Sequence, residues 1–236
     1  MMPPVTKNLI IVNCLIFVAM MLMPAAKIDL IYNYAALHYF SSPAFNPAQL
    51  FTYMFLHGGF MHLFFNMFAL FMFGPQIEWS VGSRRFLFYY ISCGLGAALI
   101  QEGVYAVMLH KYTTMFPPEE YRQIVEEGYR ALRRGMNFVD PTAGALNALV
   151  NGSTVGASGA IYGVLLAFGM RFPNRELMLM IPPMPIKAKW LVLAYAVLEL
   201  AYGITGTGGN VAHFCHLGGM LVGLLIILYW KRRGQF

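Results

Sequence analysis

The chain has 236 residues, 58% of them hydrophobic and only 11% charged, where an ordinary soluble domain carries about 25% charged residues. That balance excludes a typical soluble domain and points to a membrane protein. The net charge of +6 comes without a stripe of interleaved basic and aromatic residues, so it reads as a topology signal and not as a nucleic-acid surface.

A bilayer core about 30 Å thick takes roughly 20 apolar residues per helical crossing, and six such runs follow one another along the chain. Span one covers about 8–26. It is read as retained and not as a cleaved signal peptide, because its small-residue cleavage pattern is weak and five further spans follow. The loop 27–57 holds "FSSPAFNPAQLFTYMF", whose aromatic and proline-rich character suits a segment lying against the membrane interface. Spans two and three cover about 58–77 and 86–107. In the second long loop, 110–154, Tyr121, Ile124, Val125, Tyr129 and Leu132 recur at helical spacing among charges, which predicts one amphipathic surface helix. Span four, about 156–172, is short and rich in glycine; spans five and six cover about 190–206 and 211–230. The expected fold is an all-α membrane protein, a six-transmembrane-helix bundle forming a single domain over 1–236. With the N-terminus inside, ten lysines and arginines fall on the cytoplasmic side against six outside, which places both termini in the cytoplasm.

Cys14, Cys93 and Cys215 all lie in predicted spans, where a free thiol behaves as a small apolar group. No CxxC or HExxH run offers a zinc motif.

Polar side chains inside spans cost a few kcal/mol on insertion scales and so face the protein interior or a water-filled cavity. Here they are His62 and Asn66 in span two, Ser158 in span four, and His213 and His216 at the start of span six. All five fall toward the outer half in the expected topology. His62 and Asn66 are one turn apart and share a helix face, as do Ser158 and Tyr162. Gly159 with Gly163, and Gly219 with Gly223, form GxxxG pairs that let helix backbones approach closely. Taken singly, each residue has a plain reading: Ser158 as a small packing residue, His62 with Asn66 as an interhelical hydrogen-bonding pair, His213 with His216 as a metal pair lacking an acidic third ligand. Glu102 and Glu199 read as interface or structural groups. Taken together they fit nucleophilic catalysis. A serine hydroxyl needs a base such as imidazole, and a tetrahedral oxyanion needs donors, for which His62, Asn66 and the backbone N–H of Ser158 are available.

The stretches "HGGFMHLFFN", "GASGAIYG" and "AHFCHLGGMLVG", in this order, resemble the rhomboid intramembrane serine proteases. The resemblance implies Ser158 as nucleophile and His216, followed by Gly219 and Gly223, as general base. It places the oxyanion-side pair on His62 and Asn66, the tyrosine stacked on the catalytic histidine on Tyr162, and Gly156 in the loop entering the short fourth helix. The family works with a Ser–His dyad, and the sequence is expected to hold no intramembrane carboxylate near these positions. No cofactor and no metal are implied. Where family members often carry a Trp-Arg pair in the first loop, this chain has Ala48 and Gln49; Glu78 and Gly82 match a structural motif of the family. The implied activity is cleavage of transmembrane segments of other proteins near their outer ends, with substrate entering sideways from the lipid. The implied partners are transmembrane protein substrates and the lipid bilayer, with no nucleic acid, and the oligomeric state is left open. The expected location is a bacterial plasma membrane, multi-pass, with the site opening to the extracytoplasmic side. Two other readings compete: a catalytically inactive rhomboid-like protein that binds transmembrane clients, and a small transporter or metal-handling protein using His57, His62, His213 and His216.

Overall fold

The computed structural model describes residues 1–178, 183–206 and 212–236. Helix α1 (Pro4–Met21) begins with proline in its first turn, where the missing N–H is no loss. Its free amides find a partner from across the fold: Glu78 accepts from Val5 N–H at 2.9 Å, Thr6 N–H at 2.7 Å and Thr6 Oγ1 at 2.7 Å. A buried carboxylate at a helix N-terminus satisfies both the orphan donors and the positive end of the helix dipole. Glu78 also accepts from Ser83 Oγ at 2.7 Å, tying α1 to the turn that follows. That turn passes through Gly82 at φ +86°, a conformation L side chains avoid.

The first loop is more structured than its composition suggested. The apolar run predicted as 8–26 breaks at Leu22, and Pro24 precedes a second helix, α2 (Ala25–Ala35). Next come strand β1 (Leu37–His38), the single turn α3 (Gln49–Thr52) and a 3-10 turn over Tyr53–Phe55. Gln49 is fully buried. It accepts from His38 N–H at 3.2 Å and donates to the carbonyls of Asn33 at 3.1 Å and Ala44 at 2.8 Å. One amide side chain thus holds three points of the loop.

Helices α4 (Phe60–Val81) and α5 (Ser83–Thr113) follow. At 31 residues α5 is about 46 Å long, more than a bilayer core requires, and its last turns support the second loop. There α6 (Pro118–Leu132) is the predicted amphipathic helix, burying Ile124, Val125 and Gly128. A second helix, α7 (Pro141–Asn151), was not expected. Asp140 caps it by accepting from Ala143 N–H at 2.7 Å, and its Leu146 and Val150 join Ile124, Val125 and Leu109 in a separate small core. The loop returns as β2 (Ser153–Thr154), antiparallel to β1.

Helix α8 (Ser158–Arg171) has 14 residues, about 21 Å, so it falls short of an apolar slab about 30 Å thick. It is the central element, with Gly159, Ala160, Ile161, Gly163 and Val164 buried in its first two turns. A second short ladder, β3 (Glu176–Met178) with β4 (Pro185–Lys187), precedes α9 (Ala188–Thr205), and α10 (His213–Arg232) ends the bundle. Val211, the expected start of span six, lies outside the described residues.

Among the described residues, α1, α4, α5, α9 and α10 are long and apolar enough to cross a membrane. Their outer faces carry rows of exposed apolar side chains, including Phe60, Phe64 and Phe68 on α4 and Trp190, Val197 and Ile204 on α9, which suit lipid and not water. The all-α expectation needs one correction, the two short antiparallel ladders. Strands of two and three residues are too short to leave a period-two pattern in sequence.

The glycine pairs do not form one ridge. A Cβ on Gly219 would fall 1.8 Å from the Gly159 carbonyl oxygen, so α8 and α10 touch backbone to backbone there. Gly163 serves that contact and α5 as well, since a Cβ would fall 3.1 Å from the Gly219 carbonyl oxygen and 2.5 Å from Cys93 Sγ, while Gly223 makes room for α5, where a Cβ would fall 2.3 Å from Tyr89 Oη. Tyr89 uses that room to donate to the Gly163 carbonyl at 2.7 Å.

Candidate active site

The site begins in the loop before α8. Gly156 has φ +127° and donates its N–H to the Tyr53 carbonyl at 2.9 Å, which satisfies a buried amide in non-helical backbone. A Cβ at Gly156 would lie 2.7 Å from His62 Nε2 and 3.6 Å from Ser158 Oγ. The absence of a side chain therefore lets the His62 ring sit closer to this turn than any Cβ at 156 would allow.

Ser158 is the first residue of α8. Ile161 N–H reaches the Ala157 carbonyl at 3.0 Å, while amides earlier in a first helical turn have no intrahelical acceptor and sit at the positive end of the helix dipole. His216 comes from the first turn of α10 and is buried, with Nε2 2.7 Å from Ser158 Oγ. The Gly159–Gly219 contact is what brings the two helix ends this close. One turn beyond the serine, the Tyr162 ring lies parallel to the His216 ring, with centroids 4.2 Å apart and planes within 5°.

The histidine's other nitrogen does not face lipid. Glu199 Oε1 on α9 lies 3.0 Å from His216 Nδ1 and accepts from Tyr162 Oη, while Glu199 Oε2 lies 2.6 Å from His213 Nδ1. The approach to His216 is off the direction of the ring N–H, so that contact is electrostatic more than a well-aligned hydrogen bond. This corrects the expectation of no intramembrane carboxylate near the dyad; Glu199, read as an interface or structural group, is bonded inside the bundle. A carboxylate is at the centre of the polar cluster. The sequence signal was an ionisable residue inside a predicted span, which by itself demands a partner. Its partners lie on two other helices, and only the packing of α9 against α8 and α10 identifies them.

On the opposite side of the serine, His62 presents Nε2 to Gly156, and its Nδ1 faces the Gly58 N–H at 3.4 Å. Asn66 lies one turn further along α4, buried, with an Nδ2 that no acceptor among the described residues meets. His57, just before α4, packs edge-on against His62 with centroids 5.1 Å apart. Burial pushes His57 down to about 4, the His62 ring adding to the effect and the Phe55 carbonyl opposing it, so its ring is neutral at pH 7.

The structure thus brings together Ser158, His216, Tyr162, Gly156 and His62, with Asn66 one helical turn away and Gly159 and Gly219 at the helix contact beneath. Gly223 is remote from the serine and serves the α5 contact. His213 is turned to Glu199 and not to Ser158. Among the described residues, no group of three or more His, Cys, Asp or Glu side chains is arranged to hold a metal ion.

A profile of the Rhomboid domain matches residues 44–233. The chain is similar to "Rhomboid protein 1, mitochondrial" of Saccharomyces cerevisiae, with 26% identity over 171 residues, covering 72% of this chain and 38% of that protein. It is also similar to "Putative rhomboid protease YdcA" of Bacillus subtilis, with 43% identity over 47 residues, covering 20% of this chain and 24% of the relative. In both cases the match spans well under two thirds of the relative's length.

Proposed function

This chain belongs to the rhomboid family and is an integral, multi-pass membrane protein, and from that premise we propose that it is an intramembrane serine endopeptidase with Ser158 as nucleophile and His216 as general base. The observation that carries the reading is the 2.7 Å contact between His216 Nε2 and Ser158 Oγ, a distance at which imidazole takes the hydroxyl proton as Oγ attacks a carbonyl. The oxyanion then develops beside Gly156, between His62 and Ser158. His62 Nε2, the Ser158 amide and, from one turn along α4, Asn66 Nδ2 are its donors, assisted by the dipole of α8. His216 returns the proton to the leaving amine, which departs as the acyl-enzyme forms. Water, deprotonated by the same imidazole, then releases the second product and restores the serine. The Tyr162 stack restricts the ring to the plane in which Nε2 faces Oγ.

The substrate class is the transmembrane segment of another membrane protein, unwound locally because a helical peptide bond is shielded by its own backbone. In this reading residues 1–236 form one domain, and the short α8, as span four, joins the five long helices to make the bundle of six. Both termini are cytoplasmic, and the N-terminal end of α8 opens to the extracytoplasmic side. The excess of basic residues on the assigned inner side supports the orientation. The proposed membrane is a bacterial plasma membrane; one relative is a Bacillus protein and the other carries a mitochondrial name, so fractionation of the native host decides that point.

The test is incubation of the purified protein in detergent with a model single-span substrate. Wild type cleaves within the span, and Ser158→Ala and His216→Ala do not. Unchanged cleavage by Ser158→Ala ends the reading, and an inert wild type favours a client-binding protein instead.

A further inference from the structure

An ionised carboxylate inside a membrane bundle is costly unless its oxygens are met by donors. Glu199 accepts from Tyr162 Oη and meets His213 Nδ1 at 2.6 Å, while His216 Nδ1 lies 3.0 Å away, off its N–H direction. These three groups come from α8 and α10, while the carboxylate comes from α9. Helix α9 is otherwise thinly packed, its only other buried residues being Ala188 and Val192 near its start. A carboxylate in this place does more than fill a core position.

The proposed proton transfer from Ser158 to His216 requires one particular nitrogen of the ring to carry the proton. Nε2 must hold a free lone pair to accept from Ser158 Oγ, so Nδ1 must hold the hydrogen, and Nδ1 is the nitrogen beside Glu199 Oε1. The same oxygen accepts from Tyr162, whose ring fixes the plane of the imidazole, so one atom anchors both the tautomer and the stack. His213 takes the other oxygen and holds the carboxylate in its rotation. We propose that Glu199 is a positioning residue of this enzyme, holding His216 in the Nδ1–H tautomer and countering the charge of the imidazolium formed when Ser158 gives up its proton. The inference rests on Ser158 and His216 acting as proposed above, and it extends the dyad to a three-helix triad with His213 as the support of its acid. It also makes the base depend on where α9 sits, since any displacement of α9 carries the carboxylate away from the ring.

The experiment uses the full-length protein in detergent, with wild type, Glu199→Gln, Glu199→Asp and Ser158→Ala. Cleavage kinetics are read on the model substrate, melting temperature on each variant, and the ¹⁵N spectrum of the histidine rings with His216 assigned by its loss in His216→Ala. A fully aligned Ser-His-Asp triad loses ~10⁴ in kcat when its acid is made an amide. The off-axis contact here should lose less, roughly ten- to a hundredfold, with KM changed by no more than about twofold, since an interaction made in the transition state is removed and not ground-state binding. Glu199→Asp should recover part of the rate, and the His216 signal should pass from the Nδ1–H tautomer in wild type to a mixture in Glu199→Gln. Wild-type kcat in Glu199→Gln, or a rate loss that follows melting temperature while the His216 tautomer stays unchanged, overturns the inference while leaving Ser158 and His216 in place. If Ser158→Ala cleaves as well as wild type, the underlying reading falls and this inference falls with it.

Discussion

Replacing Gly156 by alanine adds one methyl group at the point where the oxyanion is proposed to form. The new Cβ would sit 2.7 Å from His62 Nε2 and 2.8 Å from its Cε1, under the closest approach of real carbon contacts, so the imidazole must move away. The backbone adds to the effect, because φ +127° strains an L residue by about 1–3 kcal/mol. Displacing the ring is equivalent to losing at least one oxyanion donor, about 2.7–4 kcal/mol of transition-state stabilisation, or a fall of roughly 10²–10³ in kcat. The assay is turnover of the single-span substrate in detergent, read beside melting temperature. Gly59→Ala is the control, since a Cβ there meets nothing within 4 Å and its φ of 172° is ordinary extended backbone; turnover and melting should match wild type. A Gly156→Ala protein that keeps wild-type kcat would refute the placement of the oxyanion between His62 and Ser158.

Three further outcomes are expected. Asn66→Ala should lower kcat by roughly 10²–10³ with little change in stability, because its buried Nδ2 meets no acceptor among the described residues; a pure rise in KM would count against an oxyanion role. Gly219→Val should force α10 off α8, since even its Cβ would fall 1.8 Å from a backbone oxygen. Overpacking of this kind costs about 1–3 kcal/mol or more, so both melting temperature and activity should drop, and intact activity would refute the close-approach account. His57 titrates near 4 in the fold against 6.5 unfolded, so below pH 6.5 the unfolded chain binds the extra proton. Stability should therefore fall as pH drops from 6.5 toward 4, and His57→Phe should flatten that part of the profile; an identical slope in the variant would assign the sensitivity elsewhere.

Much of this architecture was legible because a membrane imposes simple rules. Apolar runs of the right length fall on the long helices, with ends displaced by up to six residues, and the ionisable residues within them include those gathered at the candidate site. The Tyr121 to Leu132 stripe revealed α6 through its period. Helix α7 escaped because "PTAGALNALVN" is small and mildly apolar, with no charged face to give it a period; Asp140 followed by Pro141 was the readable cue. The role of Gln49 was hidden because an amide in a loop shows nothing of its partners until the loop closes around it. Glu199 was the most instructive gap. Its cost was visible in sequence, but Tyr162 is 37 residues before it and His213 is 14 after it, and no local spacing rule connects side chains across three packed helices. Gly223 misled in the opposite direction: the GxxxG spacing signals close approach but does not say to which neighbour, and here the neighbour is Tyr89 of α5.

The central claim is that Ser158 is a nucleophile activated by His216, and a covalent probe tests it without knowledge of the natural substrate. A fluorophosphonate reacts with an activated serine, and mass spectrometry of the purified, detergent-solubilised protein locates the adduct. The account predicts a single adduct on Ser158, lost in Ser158→Ala and strongly reduced in His216→Ala. An adduct on another residue, or labelling that survives both substitutions, would contradict it.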